Sequence, residues 1–595
     1  MSGKSLPKAV KVLKRFAISR KLFVIAASLA IVYIILAIYA LPDAGLAWDE
    51  SRHLEGGKAR VYSIYAAVTG KPQLDMCLLD QPPSDVDTRW RCWSGRPRLS
   101  QTVSGFTWAA AWLINGQHLD PIASIAAHRF ATVIFGALAV FFVFLFAAEA
   151  FGTKAGFFSA ISLIFMPRFF AETLYVTLDA PAAAMVLVAT YVFWKGLKSR
   201  GWGILAGVAF GLALASKINA YFLPFILLAW FLVSYRDRIL PIAKGIAKRT
   251  FGFRYVPVAV YSFLFLSPVV FFISWPWLWV DTIPRYMELL ATKDTIKIAA
   301  YYMGGIYGWD TGMLPWHYTW VMTAVTLPLF ILIFAIIGGS RAIKDAVTLR
   351  NRDTVLILLG AVVPMLIFSS PFATPHDGVR IFLNVFPFIA ILSGIGAGMT
   401  ADFIGRRFDR KLLIMAVITL LMALPFFFAL SDGMNTVAIY YSELTGGPRG
   451  AMANGLELDY AGVSYLDVVR WLNENAEPGA KIYAPIATNL WYMYKSGDIG
   501  LIAERFMEGR HGLNETVSDL GLALFEQKGI LREDIELAEK NESDYYVLLN
   551  RRSVVDSNAS DDIREMRYYI DNCDPVYVAE AGGAPATYLF RSGCA

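Results

Sequence analysis

The sequence predicts a polytopic α-helical membrane protein of about eleven transmembrane helices, ending in a soluble α/β domain. Three observations predict it. Hydrophobic residues make up 56% of the 595-residue chain, charged residues only 17%, and the mean hydropathy is +0.49; this is too apolar for a water-soluble protein. Apolar runs long enough to span, or nearly so, begin near residues 22, 124, 155, 171, 202, 218, 256, 319, 354, 379 and 411. Lys and Arg gather in every second connection (195–200, 236–254, 341–352 and 406–411), whereas the opposite short loops (166–170, 216–219 and 370–380) hold few. That alternation places the N-terminus and the basic loops in the cytoplasm.

Taken in order, the chain opens with a basic segment (Lys4, Lys8, Lys11, Lys14, Arg15, Arg20, Lys21) and an apolar run from Leu22 to Leu41. At roughly twenty residues, and with no small-residue cleavage site after it, this run is expected to be an uncleaved first helix. The net charge of +6 is accounted for by the cytoplasmic loops, so no nucleic-acid partner is implied. Three pieces are expected outside: residues 42–121, residues 280–318, and everything after about residue 430. The division is therefore a membrane domain, 1–430, and an extracytoplasmic soluble domain, 431–595.

The first outer loop carries an amphipathic stretch at 51–68 and a Pro/Asp-rich excursion at 81–87. In the second, apolar residues recur near helical spacing over 283–302, which predicts a helix lying along the interface. The Trp275-Pro-Trp-Leu-Trp279 run is expected to be an interfacial aromatic belt. Past residue 430, an amphipathic helix is expected at 464–476, stopped by Glu477-Pro-Gly-Ala480. Short strands are expected at 481–485, 544–550 and 587–591. Cys77, Cys92, Cys573 and Cys594 all fall outside with no metal-type spacing, which suggests local disulfides, Cys77 with Cys92 and Cys573 with Cys594.

Chemistry is expected where charge meets lipid. Asp49 and Glu50 follow the first helix by a few positions, on the outer face. A carboxylate there reaches a lipid-borne headgroup and a water-borne acceptor at once; the plainer reading is a pair of solvated loop acids. Asp179, expected within the outer half of a helix, and Arg129, near the outer end of another, each cost several kcal/mol unless satisfied. Pairing of Asp179 with Arg129 or Arg168 is the plainer reading, and it is compatible with lining a site. Lys217 and Arg380 stand at outer helix junctions and, with Arg129, would make a cationic patch at the depth of a lipid phosphate. Snorkelling accounts for Lys217 and pairing with Asp377 for Arg380 in the plainer view. His317 and His376 are further candidates to touch a phosphate or sugar hydroxyl.

These patterns occur in a particular order: Asp49-Glu50 with His53, then Thr177-Leu-Asp179 with Pro181, then Ala215-Ser-Lys217 with Asn219. Pro315-Trp-His-Tyr318 and His376-Asp-Gly-Val-Arg380 with Pro387 follow. Over roughly residues 20–430 the set resembles the GT-C fold glycosyltransferases, most closely glycosyltransferase family 39. That group includes protein O-mannosyltransferases and, more distantly, aminoarabinose transferases. The resemblance implies a polyprenyl-phosphate sugar donor, inversion at the anomeric carbon, and Asp49 as the base that deprotonates an acceptor hydroxyl. Glu50 would orient Asp49 or contact the sugar. Lys217 and Arg380 would hold the donor phosphate, with Arg129, Asp179, His317 and His376 around it. The chain lacks the repeat insertion of the eukaryotic protein mannosyltransferases in the second outer loop and carries its C-terminal domain instead.

The expectation is thus a membrane-bound, lipid-phosphate-dependent glycosyltransferase of the plasma membrane, or of the endoplasmic reticulum in a eukaryote. Its partners would be membrane lipid and an acceptor protein, lipid or glycan. No nucleotide site (GxGxxG or Walker) is present, and a divalent metal is possible but not expected to be obligatory. The rival is a transporter or lipid flippase, in which Asp179 and Arg129 would couple to a substrate. Transporters often show internal repeats with broken helices in corresponding positions, and this sequence shows none.

Overall fold

The computed structural model describes residues 19–50, parts of 53–64, and 99–116, 119–237, 256–279, 281–291, 299–308, 312–370, 376–496, 529–556 and 561–593. Cys77, Cys92 and Cys594, the 81–87 excursion and most of the 236–254 loop lie outside the described residues. Cys573 is buried and disulfide-bonded.

Among the described residues, four helices are long and apolar enough to cross a membrane: Arg20–Asp43, Pro121–Phe151, Arg380–Gly405 and Lys411–Asp432. Shorter apolar helices join them at Thr153–Ile164, Arg200–Leu214, Ile218–Ser234 and Val258–Ser274. Their starts are locally encoded. Asp120 caps Pro121–Phe151 by accepting from the Ala123 amide at 2.9 Å, with Pro121 at the position that needs no N–H. Asn351 caps Arg352–Phe368 by accepting from Asp353.

The helix Phe386–Gly405, which continues a 3-10 turn Arg380–Val385, lies at the centre of the bundle. It is buried over nearly its whole length, and glycine makes that possible. A Cβ on Gly396 would stand 2.0 Å from the Phe334 carbonyl oxygen, and one on Gly394 would stand 2.0 Å from Ser159 Oγ. The helices Leu329–Thr348 and Thr153–Ile164 therefore approach it backbone to backbone, the small-residue packing expected where lipid offers no hydrophobic drive. Ser162 Oγ donates to Ser393 Oγ at 3.0 Å across the second of these contacts. Arg380 thus sits at one end of a deeply buried, closely packed helix.

Two sequence expectations differ from the structure here. The run from residue 171 does not enter a helix at once: a short helix Pro167–Glu172 and a non-helical stretch precede Asp179–Gly196, so Asp179 is the first residue of its helix rather than an interior one. The run from 319 is broken into Tyr318–Thr326 and Leu329–Thr348 at Pro328, which has no N–H to continue the ladder. Trp275 is 1% exposed, so it belongs to the core and not to an interfacial belt, whereas Trp279 is exposed.

Between residues 280 and 318 the expected helix is shorter, Thr282–Ala291, with Ile283 and Met287 exposed. Tyr301 and Tyr302 belong instead to a hairpin, β1 (Ala300–Tyr302) against β2 (Gly305–Tyr307). Past the last long helix, the helix Tyr465–Asn475 ends where expected, and a five-stranded sheet follows. Its order is β4 (Glu536–Leu537), β3 (Lys481–Tyr483), β5 (Tyr545–Leu549), β7 (Ala584–Arg591) and β6 (Tyr577–Ala581). β3 runs parallel to β4 and β5, whereas β7 is antiparallel to β5 and β6. Every residue of β5 is buried, as a strand covered on both faces requires.

The two halves share their cores. Met434, Val437, Tyr441, Leu456 and Val463 pack with the helical bundle. Leu46 and Leu54 of the loop after the first helix, with Val176, pack with the sheet residues. The Leu46 amide donates to the Tyr494 hydroxyl at 2.9 Å. The turn Gly582-Gly583 of the β6–β7 hairpin, at φ 55° and 70°, lays its Gly582 amide on Asp432 at the end of the last long helix. The Trp48–Glu50 turn is consequently held from both sides.

Candidate active site

Asp49, Asp179, Lys217 and Arg380 come together from four separate segments. Asp179 opens its helix, Lys217 precedes the 3-10 turn Ile218–Tyr221, and Arg380 opens the turn into the central helix. Lys217 Nζ donates to Asp179 Oδ1. Arg380 Nε donates to Asp179 Oδ2 at 2.8 Å, and its Nη2 donates to Asp49 Oδ2. The Asn219 amide group donates to the Ile381 carbonyl, tying the Lys217 turn to the Arg380 turn. Asp179 is 1% exposed, Lys217 17% and Arg380 16%, while the Asp49 side chain is 37% exposed. Asp49 is therefore the member of this cluster that faces out.

Arg380 Nη1 also lies 3.5 Å from Asp377 Oδ2, and His376 Nε2 lies 3.9 Å from the same carboxylate. Asp377 itself sits at φ 54°, a conformation Asp tolerates better than most residues. Its second oxygen, Oδ1, accepts from Arg551 Nη2 at 2.9 Å.

A small cavity opens beside Asp49, lined by Asp49, Arg168, Glu172, Arg380, Asp459 and Tyr460 among others. Arg168 is buried and holds the Tyr440 and Ala438 carbonyls at 3.0 and 2.7 Å, with its guanidinium over the Tyr441 and Tyr460 rings. Glu172, on the short helix Pro167–Glu172, accepts from the Tyr460 hydroxyl at 3.2 Å. Burial, and next the Asp179 carboxylate, push its carboxyl up to about 7, against the pull of Arg380 and Arg168. Asp459 accepts from the Ala461, Gly462, Val463 and Ser464 amides and so fixes the loop that forms one wall.

Glu50 and Arg129 stand apart from this arrangement: Glu50 keeps the expected role of orienting Asp49 but is not placed to touch a sugar, and Arg129 is not placed at a phosphate. Arg129 Nε and Nη2 donate to Glu50 Oε1 and Oε2 at 2.8 and 2.7 Å, and Nη1 and Nη2 hold the Ala44 and Gly45 carbonyls at 2.7 and 2.6 Å. Glu50 is 0% exposed and also accepts from the Val176 and Ala47 amides. Each is committed to the other and to the backbone, so neither is presented to a sugar or a phosphate. Their arrangement instead folds the turn that aims Asp49. His317 is likewise not part of the cluster's bonding: its Nδ1 meets the Tyr302 hydroxyl of the β1–β2 hairpin at 2.8 Å.

Tyr460, Asp459 and Arg551 were invisible to sequence reasoning. They lie in a polar segment where charged and aromatic residues are ordinary, and no local spacing links them to the membrane charges. Arg168 and Glu172 were visible only as charges at a short outer turn. Among the described residues, no group of three His, Cys, Asp or Glu gathers as a metal-ligand set.

Comparison with known proteins follows the same lines. The family model for dolichyl-phosphate-mannose-protein mannosyltransferase matches residues 108–272. Among solved structures, ArnT from Cupriavidus metallidurans bound to undecaprenyl phosphate is similar at 14% identity and a TM-score of 0.47, covering 97% of this chain and 99% of that one. Its apo state gives 14% and 0.46, covering 95% of this chain and 97% of that one. The oligosaccharyltransferase AglB from Archaeoglobus fulgidus, in complex with an inhibitory peptide and a dolichol-phosphate, gives 12% and 0.44, covering 89% of this chain and 69% of that one. A search of curated proteins finds no match.

Proposed function

We propose that this chain is an inverting glycosyltransferase that moves a sugar from a polyprenyl-phosphate donor to an acceptor hydroxyl at the outer membrane face. The observation that carries the reading is the Asp49–Arg380–Asp179–Lys217 cluster: two cations fixed at the ends of apolar helices, with a carboxylate exposed beside them. The match of residues 108–272 to a mannosyltransferase family supports it.

The chemistry follows from the layout. Lys217 and Arg380 are held by Asp179 against one another, so their remaining donors are pre-aimed and need little reorganisation to meet a lipid phosphate. The acceptor enters from water beside Asp49. Asp49 takes the acceptor hydroxyl proton as the oxygen attacks the anomeric carbon from the face opposite the phosphate. The bond from that carbon to the phosphate oxygen breaks, its electron pair stays on the phosphate, and the two cations stabilise the charge that develops there. Attack and departure on opposite faces invert the centre. Glu50 and Arg129 are positioning residues in this reading, as is Asp179.

The domain division at residue 430, the eleven crossings, the cytoplasmic N-terminus and the outward C-terminal domain belong to the same proposal, as do the two disulfides. The sugar donor and an acceptor protein, lipid or glycan are its substrates, and no obligatory metal is part of it. The test is transfer by purified protein from a radiolabelled polyprenyl-phosphate sugar, beside a proteoliposome uptake assay. Label moved to an acceptor with release of polyprenyl phosphate supports the reading; uptake or lipid flipping without transfer would place the chain among transporters.

A further inference from the structure

The C-terminal domain reaches into the cluster through one side chain. Arg551 lies two residues past the end of β5, at the N-cap position of the short helix Arg552–Val555, and its side chain is turned to other partners. Its Nη1 donates to the Tyr460 carbonyl at 2.7 Å, its Nε to Ser553 Oγ at 3.2 Å, and its Nη2 to Asp377 Oδ1 at 2.9 Å. The guanidinium lies over the ring of Trp48, 5.1 Å from its centroid, in the residue that precedes Asp49. Arg551 is 5% exposed, so this is a buried cation bridging two pieces of the site.

Asp377 links Arg551 to Arg380. It is 8% exposed and stands between two guanidinium groups, with Arg551 at 2.9 Å and Arg380 at 3.5 Å. A buried carboxylate must be paired, and it takes the nearest cation. With Arg551 in place, Asp377 is satisfied at hydrogen-bond distance, and Arg380 keeps its shorter bonds for Asp49 and Asp179. Without Arg551, Arg380 is the closest remaining cation. Drawn to Asp377, it would turn from the geometry in which it faces Asp49 and, on the reading above, the donor phosphate.

We infer that Arg551 is a positioning residue: by neutralising Asp377 it keeps Arg380 available to the donor phosphate, so that the soluble domain supplies part of the donor site. The inference rests on the proposed function for the identity of the ligand. It assigns to the C-terminal domain a role in donor affinity rather than in acceptor capture.

The test is binding of undecaprenyl phosphate to the full-length detergent-solubilised protein, comparing wild type, Arg551→Ala, and Arg551→Ala combined with Asp377→Asn. Folding is checked by a thermal melt, and Arg551→Met, which keeps the stem against Trp48 without the charge, replaces Arg551→Ala should that variant misfold. Loss of Arg551 is expected to weaken binding about tenfold or more, and Asp377→Asn in the same chain to restore it to within about threefold, because no carboxylate then competes for Arg380. Because Asp377→Asn would also relieve the unpaired buried carboxylate left by a merely structural pair, the melt separates the two: weakened binding in an Arg551 variant that melts like wild type is not a structural effect. Wild-type binding in a folded Arg551 variant, or no rescue by Asp377→Asn, overturns the inference alone. Failure of the wild type itself to bind the lipid overturns the inference and the proposed donor together.

Discussion

The Glu50 carboxylate grips the Arg129 guanidinium through two bonds, 2.8 and 2.7 Å long, with neither residue more than 2% exposed. This bidentate pair lies one residue from Asp49 and anchors the Ala44–Glu50 turn to the helix Pro121–Phe151. Cutting one partner leaves the other as an uncompensated buried charge, which costs about 3–5 kcal/mol. Arg129→Ala should therefore depress the melting temperature and yield of the whole protein, where a substrate-binding residue would leave both intact. Glu50→Gln should show the same kind of loss to a smaller extent, since the amide retains hydrogen-bonding capacity. Melting curves in detergent check both; unchanged melting with selectively lost turnover would put the pair back in the catalytic machinery.

Asp49→Asn preserves shape and can still bond Arg380, but it cannot accept a proton. Turnover should fall about 10²–10⁴-fold, while binding of polyprenyl phosphate survives. Steady-state rates beside lipid binding on the same preparation decide it. A near wild-type rate would remove Asp49 from the role of base.

On the proposed function, Lys217→Ala and Arg380→Ala would each remove a charge-assisted contact worth roughly 1.5–3 kcal/mol to the donor phosphate. Donor affinity should drop about tenfold or more, with acceptor affinity little changed. Both residues also satisfy the buried Asp179, so each variant should become easier to tolerate when Asp179→Asn is added. Titration with undecaprenyl phosphate across the four proteins reads out both effects.

Glu172 makes stability depend on pH. Its carboxyl titrates near 7 in the fold, against an ordinary value of 4.5, because burial first and Asp179 second penalise the charged form. Between those two values the folded protein holds the proton more tightly than the unfolded chain does. Stability from this group is therefore fully present below about pH 4.5 and declines as pH rises through about 7. Glu172→Gln should flatten that decline and melt above wild type near pH 8. Thermal melts from pH 5 to 8 test it; identical pH slopes in the two proteins would count against the assignment.

What the sequence made legible was charge set against lipid. Asp49, Asp179, Lys217 and Arg380 stood out because an ionised group at the end of an apolar run must find a partner, and the structure brings these four to one place. The resemblance to the mannosyltransferase family agrees with the family match over residues 108–272. Glu50 was half legible: a role in orienting Asp49 could be expected, but not that Arg129 would bury it and keep it from the cavity that Asp49 lines. Arg551 was out of reach altogether. It is separated from Asp377 by 174 residues and sits among polar neighbours, so only the fold could reveal the pairing. The Asp179 helix start was misjudged because Leu174, Val176 and Leu178 are apolar yet buried in a non-helical connection, which periodicity alone does not distinguish from a helical turn.

The hydrogen bond between the Leu46 amide and the Tyr494 hydroxyl spans 448 residues of chain, and its consequence concerns biogenesis. A ribosome finishes the first outer loop long before it makes the sheet against which Leu46 and Leu54 are buried. Until the final strands have folded, the loop bearing Asp49 has only half of its support, and closing so distant a contact is entropically slow. Competence is thus conferred last, by the end of the polypeptide on its beginning. On the proposed function, a chain stalled before its last strands fold carries Asp49 on an unfinished loop and, for that time, cannot turn over a lipid-linked sugar.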